Sequence, residues 1–359
     1  MRNRPVARAL ITFVALSFFC LFASCENVSV SGGIKCATSG SQSQKETQSC
    51  SSYQQSDPLP DQPPPGVIRI AVGGDSRSDK SRILPWSFKE AKRRGAKAFF
   101  FLGDLELTEA IVKRFLPELA ELDDIPFYPA IGNHEVDTFG ILRERNSESL
   151  KKVEKFKKEF HLTDPGIHLA PFPDTVVYSV DFEDKIHFIA LDNVSRKGGG
   201  FGLGQLVWLA EDLSKANTEK KIILVGMHKG LANNPVTSHA MDEDGSGAVE
   251  DSEAAVILLE HHKAGMVFVS HSHMYAAYPQ DRDGILQVRL TGGMGAPLVK
   301  DLAEADGGFH HFLLVDVTPG DSQTTLHVQV VKWPCTLPCT PCIPPCKGSV
   351  SDTDETEDR

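Results

Sequence analysis

The sequence predicts an α/β fold, and three observations carry that expectation. Apolar strand-like runs alternate with amphipathic helical stretches from residue 67 onward. Five of those runs end in Asp, Asn or His, as they do where an open sheet delivers polar side chains to the carboxyl ends of its strands. Three further strand patterns, 286–291, 309–317 and 324–331, follow one another with no helix between them and suggest an antiparallel part of a sheet.

Taken in order, residues 67–72 (Val-Ile-Arg-Ile-Ala-Val) form the first strand and run into Gly73-Gly74-Asp75-Ser76-Arg77. Residues 83–94 keep helical spacing until Gly95 stops them, and 98–102 form a strand ending in Gly103-Asp104. A helix over 109–122 leads to the strand 126–131, which feeds the turn Gly132-Asn133-His134-Glu135. Strand, helix, strand, helix, strand at this spacing implies parallel pairing with right-handed crossovers. The lysine-rich stretch 140–164 carries Val153, Phe156 and Phe160 on one edge and reads as a surface helix, not a nucleic-acid patch. Alternating runs at 175–182 and 185–191, joined at Glu183-Asp184, look like a hairpin.

Gly198 to Gly204 opens a helix holding Gln205, Trp208, Leu209 and Leu213. The strand 222–227 ends at His228, and 229–247 is a long loop suited to the rim of a substrate pocket. A helix over 253–262 and the strand 266–269 restore the α/β rhythm, and that strand ends in Ser270-His271-Ser272-His273.

The flanks have a different composition. Residues 1–25 read as an export signal: Arg2, Arg4 and Arg8 precede an apolar run too short to span a bilayer. Leu21-Phe22-Ala23-Ser24-Cys25 is close to a bacterial lipobox, so Cys25 is either a lipid anchor or lies at a simple cleavage site. Residues 26–66, rich in Ser, Gln and Pro, form a disordered linker in which Cys36 and Cys50 can pair. In the acidic tail 333–359, Cys335, Cys339, Cys342 and Cys346 lie among prolines and make either two disulfides or a zinc site. The working domain is therefore 67–332, and the protein is exported: periplasmic, a cell-surface lipoprotein, or secreted.

A hydrophobic content of 41% over 359 residues supplies a real core. A net charge of -11 argues against nucleic acid as a partner, and it leaves membrane contact only to a lipid on Cys25. A small or locally charged substrate remains.

Alone, Asp75, Asp104 or Asn133 would be an ordinary cap or turn residue and His228 a buried imidazole. Together they are oxygen and nitrogen donors suited to manganese, iron or zinc, and a carboxylate can bridge two such ions. Two ions about 3.5 to 4 Å apart clamp the attacking and leaving oxygens of an in-line displacement at phosphorus. Here the chain resembles the calcineurin-like metallophosphoesterases, whose pattern is Asp-x-His, Gly-Asp, Gly-Asn-His-Asp/Glu, a lone His, then Gly-His-x-His.

That resemblance covers about 67–332 and implies two mixed β-sheets packed as a sandwich and flanked by helices. It implies a dinuclear centre of divalent or trivalent transition-metal ions: Asp75, Asp104 and His273 hold the first, and Asp104, Asn133, His228 and His271 the second, with Asp104 as bridge. His134 becomes the catalytic residue that assists the leaving oxygen, and Asn133 also faces substrate. The reaction implied is hydrolysis of a phosphate mono- or diester by a metal-bound hydroxide.

Two positions depart from the pattern. Arg77 replaces a metal-binding His; a guanidinium offers no lone pair, so the first site is weakened, while its planar fork suits a phosphate oxygen. Ser270 replaces glycine, a change a tight turn absorbs. The purple acid phosphatase tyrosine is absent, since Leu107 stands three residues after Asp104. The alternative reading is a non-catalytic surface or binding protein that keeps the fold with weakened metal binding.

Overall fold

The computed structural model describes residues 29–30, 58–79, 82–105, 115–136, 147–196, 198–237, 239–280, 283–320 and 324–334. In chain order the elements are β1 (Ser29–Val30), β2 (Ile68–Gly73), α1 (Ile83–Arg93), β3 (Phe99–Phe101), α2 (Leu116–Leu119), β4 (Phe127–Pro129), α3 (Asn133–Val136) and α4 (Ser147–Glu159). After them come β5 (Ile167–Leu169), β6 (Tyr178–Phe182), β7 (Ile186–Ala190), α5 (Gly202–Thr218), β8 (Ile222–Gly226), a 3₁₀ turn (Met241–Asp244) and α6 (Ser246–His261). The chain closes with β9 (Met266–Val269), β10 (Tyr275–Pro279), β11 (Gln287–Thr291), a second 3₁₀ turn (Glu304–Asp306), β12 (His311–Thr318) and β13 (Thr325–Lys332).

These strands make two sheets, ordered β1-β13-β12-β2-β3-β4 and β10-β11-β9-β8-β7-β6-β5. In the first, β2, β3 and β4 are parallel and β12 lies antiparallel on β2; in the second, β7, β8, β9 and β11 are parallel and the edges antiparallel. Both sheets are mixed, and the expected sandwich is what forms. The parallel strands are apolar on both faces: β3 is Phe-Phe-Phe and β9 is Met-Val-Phe-Val, all buried. Between the sheets Phe100 stacks flat on Phe188 with centroids 3.8 Å apart, and the Tyr178 hydroxyl donates to Pro129 O across the layer. On the outer face of the first sheet Phe88 of α1 packs edge-on against Phe99, Phe115 and Phe127.

Three expectations need correction. The closing strands are not one antiparallel unit. β12 and β13 pair as expected, but β11 joins the other sheet, parallel to β9, because the glycine-rich 292–297 segment carries the chain from one sheet to the other. α6 begins at Ser246 and not at 253, so it takes up the stretch between the expected loop and helix while the loop after His228 keeps nearly its expected length, with a 3₁₀ turn at Met241–Asp244 inside it. Residues 58–66, placed in a disordered linker, lie against the body. Leu59 is buried, its N–H donates to Gln329 Oε1, and the Arg69 guanidinium donates to the carbonyls of Pro60 and Asp61 while pairing with Asp316. Arg69 and Asp316 are register partners on β2 and β12, so this buried pair also locks the strand alignment.

Strands β5 and β10 escaped the sequence reading; one is three residues long, and Tyr-Ala-Ala-Tyr-Pro lacks the β-branched residues that mark a strand. The export signal, the cysteine pairings, the tail beyond 334 and the first six residues of the helix expected at 109–122 lie outside the described residues, and the rest of that helix forms only at Leu116–Leu119 before the chain turns. Among the described residues, no helix is long and apolar enough to cross a membrane.

Candidate metal centre

The parallel strands of the two sheets end at one place, and their following loops interlock there. Asp75, Arg77, Asp104 and His271 all take left-handed backbone conformations, with φ of 61, 41, 56 and 69°. Such conformations cost a residue with a side chain about 1–3 kcal/mol each and persist only where the surroundings impose them. The imposing bonds are present: Asp75 N–H donates to Gly103 O at 3.1 Å, and the N–H groups of Ser76 and Arg77 both donate to Asp104 O at 2.9 Å.

Glu135, whose role the sequence reading left unassigned, is the peg of this assembly. Its buried carboxylate accepts the N–H groups of Asp104 (2.9 Å), Leu105 (2.8 Å) and Gly132 (2.7 Å), tying the β3 and β4 loops together. The loops approach so closely that a Cβ on Gly132 would stand 2.3 Å from Asp104 N, and one on Gly103 2.8 Å from His228 Nδ1.

On one side of Asp104, His228 is fully buried and its Nδ1 donates to Leu102 O at 2.8 Å, which leaves the lone pair on Nε2. That atom faces Asn133 Oδ1 at 2.9 Å, His271 Nδ1 at 3.1 Å and Asp104 Oδ1 at 3.3 Å. A proton can serve one of these contacts; a cation between them serves all four groups. Burial, then the neighbouring His228 and Lys229, hold the His271 imidazole well below its usual pKa, so it is neutral near pH 7 and offers a lone pair. Ser270 does more than fit the turn: its hydroxyl donates to Leu102 O at 2.7 Å and lies 3.1 Å from His228 Nδ1.

On the other side, Asp75 Oδ2 accepts His271 N–H at 2.8 Å, while Oδ1 is buried without a hydrogen-bond partner, 3.6 Å from His273 Nε2. His273 Nδ1 donates to Pro297 O at 2.7 Å, which turns Nε2 toward the carboxylates. Burial disfavours both charges, yet the pair outweighs it: Asp75 is lowered by His273, and His273 is raised by Asp75 and then Asp104. Donor atoms of Asp75, Asp104 and His273 form one group within 4.8 Å, and those of Asp104, His228 and His271 form another. Asp104 belongs to both.

The sequence-derived residues Asp75, Asp104, Asn133, His228, His271 and His273 therefore all converge. The orphaned Asp75 oxygen and the lone pairs crowded around His228 Nε2 fit two cations that share a carboxylate. His134 joins them, with Nε2 3.7 Å from Asp104 Oδ2 and its N–H donating to Asp104 Oδ1 at 3.1 Å. Arg77 lies at the edge of the first group, close enough for its charge to act on His273. Behind the centre, Asn193 is buried and exchanges hydrogen bonds with the backbone of Lys229, and so fixes the chain just past His228. The segment 292–297 was also overlooked; its run of glycines after a strand was the available signal. Ala296 N–H donates to Asp75 O, and Met294 N–H to Gly74 O.

The sequence profile of the calcineurin-like phosphoesterases matches residues 68–275. No curated protein matches the chain. Among solved structures it is similar to a dimetal phosphatase from Danio rerio at 15% identity, covering 73% of this chain and 98% of that one with a TM-score of 0.42. A protein from Thermus thermophilus is similar at 12% identity over 73% and 98%, TM-score 0.39. A protein serine/threonine phosphatase from Saccharomyces cerevisiae is similar at 15% identity over 75% and 82%, TM-score 0.33.

Proposed function

The chain belongs to the calcineurin-like phosphoesterase family and is a metal-dependent phosphoric ester hydrolase, and from that premise we propose which residues do the work and on what. Asp75, Asp104 and His273 hold one ion, Asp104, Asn133, His228 and His271 the other, and the substrate is a small phosphate mono- or diester. The observation that carries this reading is the crowding of Asn133 Oδ1, His271 Nδ1 and Asp104 Oδ1 within 3.3 Å of a single imidazole nitrogen.

When bound, the ions supply Lewis acidity to the phosphoryl group and a water of lowered pKa. The chain's own groups do the rest. Asp104, pinned by His134 N–H and by Glu135 through its own amide, sets the spacing of the two sites. His134, 13% exposed, holds a proton at Nε2 for the departing oxygen. The amide N–H₂ of Asn133 donates to a phosphoryl oxygen, and Arg77 grips another with its planar fork. With Arg77 where a fourth donor would stand, the first site binds its ion more weakly, and the ions are manganese, iron or zinc.

Asp104→Asn removes the shared charge, and hydrolysis of a nitrophenyl phosphate ester should fall at least ~10³-fold, as it should on stripping by a chelator. Full activity in either case ends the proposal. Export rests on Arg2, Arg4, Arg8 and the apolar run behind them. Mass spectrometry of the mature chain should find it starting near residue 25, with or without lipid on Cys25, and a start at Met1 excludes export by this signal.

A further inference from the structure

Among the described residues, one more set of donors gathers on the rim loop after His228 and shares His271 with the six expected ligands. His239, Glu243 and His271 bring ligand atoms within 4.8 Å of one another, and His239 Nδ1 stands 2.9 Å from Glu243 Oε1. We propose that this rim is a third, weaker cation site for a zinc-class ion, and that filling it inhibits hydrolysis. The proposal rests on the metal-centre reading for one donor only, His271.

Chemistry selects the ion. Two imidazoles and a carboxylate are a zinc-type set, whereas calcium and magnesium prefer oxygen donors throughout. Ligand atoms around a tetrahedral zinc lie ~3.3 Å apart for bond lengths near ~2.0 Å. The His239–Glu243 separation of 2.9 Å is already close to that value, and with all three donors within 4.8 Å of one another small side-chain adjustments close the site.

His271 has a nitrogen to spare. Its Nδ1 faces His228 Nε2 at 3.1 Å; an ion at the rim would take the other nitrogen, Nε2, whose proton would pass to solvent. The ring of His239 meets that of His271 steeply, at 76°, with centroids 6.2 Å apart.

The rim is also fastened to the centre. Ser272, between the ligands His271 and His273, donates from Oγ to His239 O at 3.0 Å, and His239 N–H is held by Thr237 Oγ1 at 3.0 Å. A gradient of burial runs inward from the His239 side chain, 64% exposed, through His271 to the fully buried His228. A cation at the rim therefore stands between solvent and the centre. It also withdraws electron density from His271.

The test is equilibrium dialysis of the full chain against rising free zinc, with bound zinc and hydrolysis measured on the same samples. Wild type should bind two zinc ions and then a third, weaker one, losing most of its activity as the third fills. His239→Ala/Glu243→Gln, both exposed sites, should stop at two and keep its activity in excess zinc. Equal zinc stoichiometry in wild type and the double variant, whether two or three, overturns the rim site. A single zinc that disappears in the double variant supports the rim and sinks the dinuclear centre instead.

Discussion

The two halves of the centre share Asp104 and differ in how completely they close around it. On the His228 side three donor atoms lie within 3.3 Å of Nε2, and the imidazole is buried and hydrogen-bonded from behind. On the Asp75 side a carboxylate oxygen is left without a hydrogen bond, His273 is 3.6 Å away, and the next ligand position is an arginine. Strand ends deliver the same residue types to both halves. The difference teaches that convergence alone does not make two equal sites, because affinity follows the number of lone pairs that can reach the ion.

Apart from loss of the shared Asp104, breaking the fuller half should have the largest effect. His228→Ala leaves Asn133 and His271 without their common neighbour, and both bound metal and activity should drop by ~10²–10³-fold; elemental analysis and turnover measure it. The comparison is sharpened by graded chelation. One ion should leave before the other, and Asp75→Asn should abolish the early-leaving ion while the late one stays. Loss of both together would mean the halves are equivalent.

Arg77→His tests the asymmetry directly by supplying the missing donor. Affinity at the first site should rise by roughly 10–100-fold, read by competition with a metal-binding dye. Arg77→Ala, which removes the fork without adding a donor, should raise KM several-fold; an unchanged KM removes Arg77 from the substrate site.

The smallest effect lies far from both halves and serves as a control for folding. His187 is buried with Nδ1 2.8 Å from Asp181 and Nε2 2.8 Å from Asp212; His168 and the Ser179 hydroxyl also meet Asp212, and Lys221 meets Asp181. Burial lowers its pKa, but Asp212 and then Asp181 outweigh that and raise it. A raised folded pKa stabilises fully below the unfolded value near ~6.5, and the contribution is lost as pH climbs through the folded value. His187→Gln should therefore lower the melting temperature by ~2–4 °C at about pH 6 and by less at about pH 9, with metal content unchanged.

Much of the centre was legible because the signal is local. A polar residue placed directly after an apolar run, as at Asp75, Asp104, Asn133 and His228, reaches the carboxyl end of its strand whatever sheet that strand joins. The supports were not legible, because their partners are distant in the chain. Pro297 O turns His273, Leu102 O fixes the tautomer of His228, and Glu135 reaches back some thirty residues to Asp104 and Leu105. Sheet membership failed for the same reason: β11 carries the pattern of any buried strand, and only its contacts with β9 and β10 assign it to the second sheet.

Chain order and residue type alone dictate the roster of candidate donors, the alternation of strand and helix, and the guanidinium that stands at position 77, since all three depend only on neighbours along the backbone. Which nitrogen of each imidazole faces inward, which carboxylate oxygen is left bare, and how tightly each half closes were decided by packing two sheets against each other. Those properties depend on groups as far apart in the chain as Asp75 and His271 meeting within hydrogen-bond distance, and no local pattern encodes such a meeting.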